Sequence, residues 1–122
     1  MSKFRFEDLE IWKLAINILD MCMDIAKILE EKHLFRFAEQ LRAAGLSISN
    51  NIAEGSGSNS NKEFILFLNY SRRSAFEVAN VILYLIHRDI IPNNWREKLI
   101  DLIDLECRKI TNFQKTLYGR NK

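Results

Sequence analysis

Ser47–Phe64, "SISNNIAEGSGSNSNKEF", interrupts an apolar-periodic segment with glycine, serine and asparagine before the periodicity resumes. A phosphate-cradling loop, a flexible linker and a turn between two helices are the readings to separate. Gly55 follows Glu54 where a helix C-terminus favours a residue able to take positive φ. Ser60 with Glu63 makes the S-x-x-E capping box ahead of the next apolar run. A P-loop needs G-x-x-x-x-G-K-[ST] after a strand, whereas Lys62 stands between Asn61 and Glu63 with no strand pattern upstream. The stretch therefore reads as a turn joining two helices.

Working outward, apolar positions advance by three and four on both sides of this turn, which keeps them on one helical face. The first series is Leu9, Trp12, Ile16, Leu19, Met23, Ala26 and Leu29, with Asp8 as its expected cap. The second is Leu34, Ala38, Leu41, Gly45, Ile48 and Ile52, and the third is Phe64, Phe67, Ser71, Ala75, Val78, Ile82 and Leu85. The fourth begins near Asn94, an expected cap, and runs through Leu99, Leu102, Glu106, Ile110, Phe113 and Leu117. "EKHLF" at 31–35 and "DIIPNN" at 89–94 are the other two breaks, the latter through Pro92. Helices are expected at roughly 8–31, 34–54, 61–89 and 94–118 of one domain spanning 1–122. Short connections make neighbouring helices run antiparallel, so the expected fold is an all-α, up-down-up-down four-helix bundle. Gly45 inside a helix costs about 1 kcal/mol relative to Ala, and a close helix crossing would account for it.

The bulk composition agrees with helix. Hydrophobic residues make up 48% and charged ones 28%, while 4 Gly and 1 Pro are too few for a turn-rich β fold or a disordered chain. A net charge of +2 does not announce a nucleic-acid binder, but it is unevenly spread. Acids crowd residues 7–31, whereas Arg108, Lys109, Lys115, Arg120 and Lys122 follow Cys107 without one. That basic end is either an anion-binding surface or a solvated helix terminus favoured by the dipole. Cys22 and Cys107 lie within apolar patterns and lack C-x-x-C spacing, as expected of small core residues in a reducing compartment. No N-terminal apolar run is present, and the run from Val78 to Ile86 is too short to cross a bilayer. A cytoplasmic protein without a membrane span is expected.

Helix 8–31 carries more apolar surface than a lone surface helix needs. Its polar residues Glu10, Lys13, Asn17, Asp20, Asp24, Lys27 and Glu31 form one narrow stripe. Ile11, Leu14, Ile18, Ile25 and Ile28 extend the apolar surface beyond the expected core face; an oligomer interface at Ile11, Leu14, Ile18 and Ile25 is favoured over a helix sunk in its own core.

The blocks "FEDLEIWKLA" (6–15), "QLRAAGLSISNNIAEGSGSNSNKEFILFL" (40–68) and "SRRSAFEVANVILYLI" (71–86) resemble the four-helix-bundle proteins encoded in intervening sequences of 23S ribosomal RNA genes. That family is related to the accessory variability determinant protein of diversity-generating retroelements. The resemblance implies a protomer that assembles into a ring, typically a homopentamer, with no established catalytic activity. The retroelement relatives act as basic partners of a reverse transcriptase and of nucleic acid. Two departures stand out: Arg73 replaces a common Gly, and "EKHLF" lacks the Pro often found near the first turn. Arg73 either extends a basic surface with Arg72 or pairs with Glu77 at i+4.

Catalytic patterns are absent from the sequence. Glu30-x-x-His33 is half of a di-iron motif, but His87 has Tyr84 rather than a carboxylate at i−3. No nucleophile elbow, H-E-x-x-H or dinucleotide fingerprint occurs, so no enzyme, cofactor, metal or small-molecule substrate is expected. Polar residues lodged beside the apolar stripes are Asn51, Glu54, Ser74, Glu77 and Glu106, with Arg42, Arg72 or Arg73 as candidate partners. A structural hydrogen-bonded cluster of Arg42, Asn51, Glu54, Ser74 and Glu77 or a polar ligand site are both open. Two functions follow: an oligomeric adaptor that binds RNA, DNA or a nucleic-acid enzyme through Arg72, Arg73, Arg108, Lys109, Lys115, Arg120 and Lys122, or a protein-binding scaffold.

Overall fold

In the computed structural model, residues 1–120 are described, apart from the side chain of Arg120. A short 3-10 turn, Arg5–Asp8, leads into four helices: α1 (Glu10–Glu31), α2 (Phe35–Ser56), α3 (Asn61–His87) and α4 (Asp101–Arg120). A π-helical turn, Arg96–Ile100, runs directly into α4, and no strand occurs among the described residues. Each helix packs on its neighbour in sequence, and α1 also meets α4, which closes the four around one core.

Helices α1, α2 and α3 each bury a stripe with alternating steps of three and four. In α1 it is Ile11, Ala15, Ile18, Cys22, Ile25 and Leu29, and in α2 Ala38, Leu41, Gly45, Ile48, Ile52 and Gly55. In α3 it is Phe64, Leu68, Ser71, Ala75, Val78, Ile82 and Leu85. This average period of 3.5 residues suits helices crossing at the shallow angle typical of bundles. Small residues set how near the helices come. A Cβ on Gly45 would lie 3.1 Å from the Cβ and Sγ of Cys22, so the glycine does mark the close α1–α2 crossing.

The turns revise several expectations. Gly55 lies buried within α2 and has no positive φ; a Cβ there would sit 2.7 Å from Phe64 Cδ1 and 2.8 Å from Phe67 Cβ. Its role is close approach of α3, and α2 continues to Ser56. Ser60 caps α3 as expected, its Oγ accepting the Glu63 N–H at 3.1 Å. The left-handed residues are His33 (φ 63°) and Asp89 (φ 57°). After α1, Leu34 N–H donates to Leu29 O at 2.8 Å and His33 N–H to Glu30 O at 3.0 Å. After α3, Ile90 and Asp89 repeat the pattern onto Leu85 and Ile86 at 2.9 and 3.0 Å. Both ends are Schellman motifs with an apolar residue folded back on the helix. Asp8 does not cap α1, because it closes the preceding 3-10 turn and pairs with Lys3 at 2.7 Å; Leu9 occupies the cap. Asn94 gives no side-chain cap either: its carbonyl accepts from Lys98 N at 3.3 Å, and the π turn begins after Trp95.

Candidate functional site

The seven basic candidates do not form one patch. Arg72 donates to Asn69 Oδ1 of its own helix at 2.9 Å and reaches across to α4, donating to Thr111 Oγ1 at 3.3 Å and Gln114 Oε1 at 2.5 Å. Gln114 in turn donates to Ile65 O at 3.0 Å and Asn69 Oδ1 at 2.7 Å. This half-buried network ties two helices together and holds the guanidinium in place. Arg108 pairs with Asp104 one turn away at 3.1 Å on an exposed surface, where such pairs contribute at most about 1 kcal/mol. Lys109 crosses to Glu10 of α1 at 2.9 Å. Arg73 and Lys115 are exposed and have no ion pair or hydrogen bond among the described residues. The Arg120 side chain and Lys122 lie outside the described residues.

The expected polar cluster is brought together only in part. Asn51 Nδ2 donates to Ser47 O at 2.8 Å and Ser47 Oγ at 3.1 Å, and Ser74 Oγ lies 2.8 Å from that same hydroxyl. These three side chains form a polar seam between α2 and α3. Arg42 is not a member: it forks onto Glu30 of α1 at 2.6 and 3.1 Å. That hydrogen bond holds the Glu30 carboxyl below its ordinary range, and it also takes up the carboxylate of the Glu30-x-x-His33 half-motif. Among the described residues, no three His, Cys, Asp or Glu side chains gather as a metal site. Glu54 and Glu77 are exposed, and Arg73 does not pair with Glu77. Instead Arg73 and Glu77 join Ser47, Asn51, Tyr70 and Ser74 around an open groove of about 420 Å³. Ser47 and Tyr70 were not singled out from the sequence. Their signal is register, since Ser47 stands four residues before Asn51, and Tyr70 four before Ser74.

The proposed subunit contact on α1 is corrected. Ile11 is 5% exposed and Ile18 and Ile25 are 0% exposed within one protomer, so they belong to its own core; Leu14 is half-buried. Among the large apolar side chains left to solvent are Met23 on α1, Phe35 and Leu46 on α2, Leu66, Tyr70, Phe76 and Tyr84 on α3, and Tyr118 on α4.

Glu106 is the anomaly of the interior. It occupies a stripe position of α4, is 0% exposed, and neither carboxylate oxygen has a hydrogen-bond partner. Burial pushes its pKa from 4.5 up to about 8; the nearby Glu10 carboxylate adds to the rise and Lys109 opposes it. Burial likewise raises the thiols of Cys22, to about 12, and Cys107, to about 11, which leaves both protonated and poorly nucleophilic near neutrality.

The open groove beside the α2–α3 seam is lined mainly by polar side chains. The model of the 23S rRNA-intervening sequence protein family matches residues 7–112. The chain belongs to that family. Comparison with curated proteins and with solved structures gives no match.

Proposed function

We propose that this protein is a non-enzymatic, cytoplasmic adaptor that binds nucleic acid, or an enzyme acting on it, as a homo-oligomer of up-down-up-down protomers. The antiparallel course is supported by cross-helix pairs whose numbers rise on one helix as they fall on the next: Ser47 with Ser74, Ile48 with Ser71, and Gly55 with Phe64. The observation that carries the nucleic-acid reading is that two of the basic candidates are unengaged: Arg73 beside the α2–α3 groove and Lys115 beside a groove between α3 and α4. Two such charges on one chain give weak binding. Repeated round an oligomer they gain avidity, because each later contact is intramolecular. Five subunits is the number the family resemblance implies, and no helix among the described residues is long and apolar enough to cross a membrane.

A salt titration of binding to structured RNA, single-stranded DNA and duplex DNA, with mass measured by light scattering in the same buffer, tests this reading. Affinity should fall linearly on logarithmic axes as salt rises, since each phosphate contact releases counterions. Absence of binding at about 50 mM salt removes the nucleic-acid reading. The second reading, a protein-binding scaffold, is favoured by Phe76 and Leu46, 66% and 46% exposed, and copurification with a protein partner would support it.

A further inference from the structure

The outer face of α3 has an order of its own. Tyr70, Arg73 and Phe76 follow one another at steps of three. At 1.5 Å and 100° per residue, the Arg73 backbone position lies about 4.5 Å along the axis and about 60° around it from each aromatic residue, on opposite sides. Tyr70 is 40% and Phe76 66% exposed. Arg73 lines the grooves on both sides: the polar one of about 420 Å³ with Tyr70, Ser47, Asn51, Ser74 and Glu77, and one of about 330 Å³ with Arg72 and Phe76. An unpaired guanidinium thus stands between two exposed aromatic side chains, with hydrogen-bonding groups in the groove beside them.

We propose that this ridge is a binding site for single-stranded polynucleotide, with a phosphate on Arg73 and bases stacked on Tyr70 and Phe76. The inference rests on the nucleic-acid reading above and assigns it a place and a strand state. Exposed rings favour single strands because an unpaired base offers its π-face, which a duplex keeps stacked. Glu77, one turn beyond Arg73, keeps phosphate away from its own side of the groove. Its carboxylate accepts from the exocyclic N4 amine of cytosine, whereas the single N3–H of uracil is flanked by two carbonyl oxygens that repel a carboxylate. The seam of Ser47, Asn51 and Ser74 adds donors and acceptors along the remaining base edge. The ridge should therefore prefer single strands over duplex and cytosine over uracil.

The test is fluorescence anisotropy at about 50 mM salt with labelled oligo(C) and oligo(U) RNA, oligo(dC) and duplex DNA, each about 15 nucleotides long. The proteins are the full chain and its Tyr70→Leu, Phe76→Leu, Arg73→Gln, Glu77→Gln and Arg108→Gln/Lys115→Gln variants. All these side chains are exposed, and melting curves should match the wild type. Tyr70→Leu and Phe76→Leu should each weaken single-strand binding about tenfold, as loss of one stacked base does. Arg73→Gln should lower the salt slope by roughly 0.7. Glu77→Gln should erase the preference for oligo(C). Equal affinity of RNA and DNA strands assigns the contact to bases and phosphate, and an RNA excess adds the 2′-hydroxyl; both support the site. If the wild type binds no probe, the nucleic-acid reading fails and the ridge with it. If it binds but only the Arg108→Gln/Lys115→Gln variant is impaired, that reading stands and the ridge is wrong. Duplex bound as tightly as single strands overturns the ridge too. So do ridge substitutions that lower the oligomer mass and leave per-chain affinity intact, since the face then joins copies of the chain.

Discussion

Replacing Glu106 with Gln should change how stability depends on pH, and the sign follows from burial. The carboxyl is fully covered with both oxygens unpartnered, so the folded state keeps its proton up to about pH 8, whereas the unfolded chain releases it near 4.5. Below pH 4.5 both states are protonated and the group carries no ionisation penalty. Between 4.5 and 8 the folded state binds more protons than the unfolded one, so stability falls as pH rises, and above 8 the full penalty applies. At 1.36 kcal/mol per pKa unit, the gap corresponds to about 4–5 kcal/mol. Gln keeps the shape and an unpartnered polar end but has no charge to bury. The two proteins should therefore unfold at similar urea concentrations at pH 4.5. At pH 8.5 the variant midpoint should lie higher by about 2 M, taking a slope of about 2 kcal/mol per molar urea. Circular dichroism at one fixed protein concentration reads this difference, and other titrating groups cancel because both chains share them. Midpoints that stay parallel from pH 4.5 to 8.5 would refute the account and mean that the carboxyl is hydrated or paired in solution.

Three further outcomes follow from the helix ends and crossings. Gly55→Ala should destabilise by about 1–3 kcal/mol in urea unfolding, since the new Cβ would stand 2.8 Å from Phe67 Cβ and must push α2 from α3. An unchanged midpoint would mean that the contact yields without strain. Ser60→Ala should remove the cap on Glu63 N–H and lower stability by about 1 kcal/mol, a drop of about 4 °C in Tm by calorimetry. His33→Gly and Asp89→Gly should each stabilise by up to about 1 kcal/mol, because both residues hold positive φ; a loss on either change would show a side-chain contribution outweighing backbone relief.

The turn after α2 shows which signals were local. Ser60 was legible because a cap is a chemical event within four residues: the hydroxyl needs only the N–H of Glu63. Gly55 was legible as a special position but not for its reason. A glycine after a polar residue at the end of an apolar series looks like a left-handed stop, whereas here it makes room for Phe64 and Phe67 of the next helix, a contact no local pattern encodes. The two left-handed stops fell instead on His33 and Asp89, which fit because Leu34 and Ile90 fold back on the helix they end. Among the basic candidates, charge was visible and occupancy was not. Arg72 and Arg73 are neighbours in sequence, yet one is bound into the α3–α4 network and the other faces open grooves, a difference set by where α4 passes.

Helix α1 was the hardest element to orient. Its sequence holds two interleaved stripes with the same period: Leu9, Trp12, Ile16, Leu19 and Met23, and Ile11, Ala15, Ile18, Cys22 and Ile25. Periodicity cannot choose between them, and size favours the first, with its tryptophan. The fold buries the second. The reason lies in the partner: α2 brings Gly45 against Cys22 and a buried Ala38 and Ala44 into the same core, and a crossing this close admits Ala15 and Cys22 where Trp12 would force the helices apart. Small residues at stripe positions on both helices were the discriminating signal, because they matter only where two backbones approach. With the second stripe used inside, the first is left half-covered as far as Met23, which is 47% exposed, while its last members, Ala26 and Leu29, are buried in the core. If the chain is the homo-oligomer proposed above, a contact on α1 would lie around the exposed Met23 and not at the buried Ile11, Ile18 and Ile25. A charge at Met23, unlike one at Ile18, should lower the oligomer mass without unfolding the protomer, because it enters a surface and not a core.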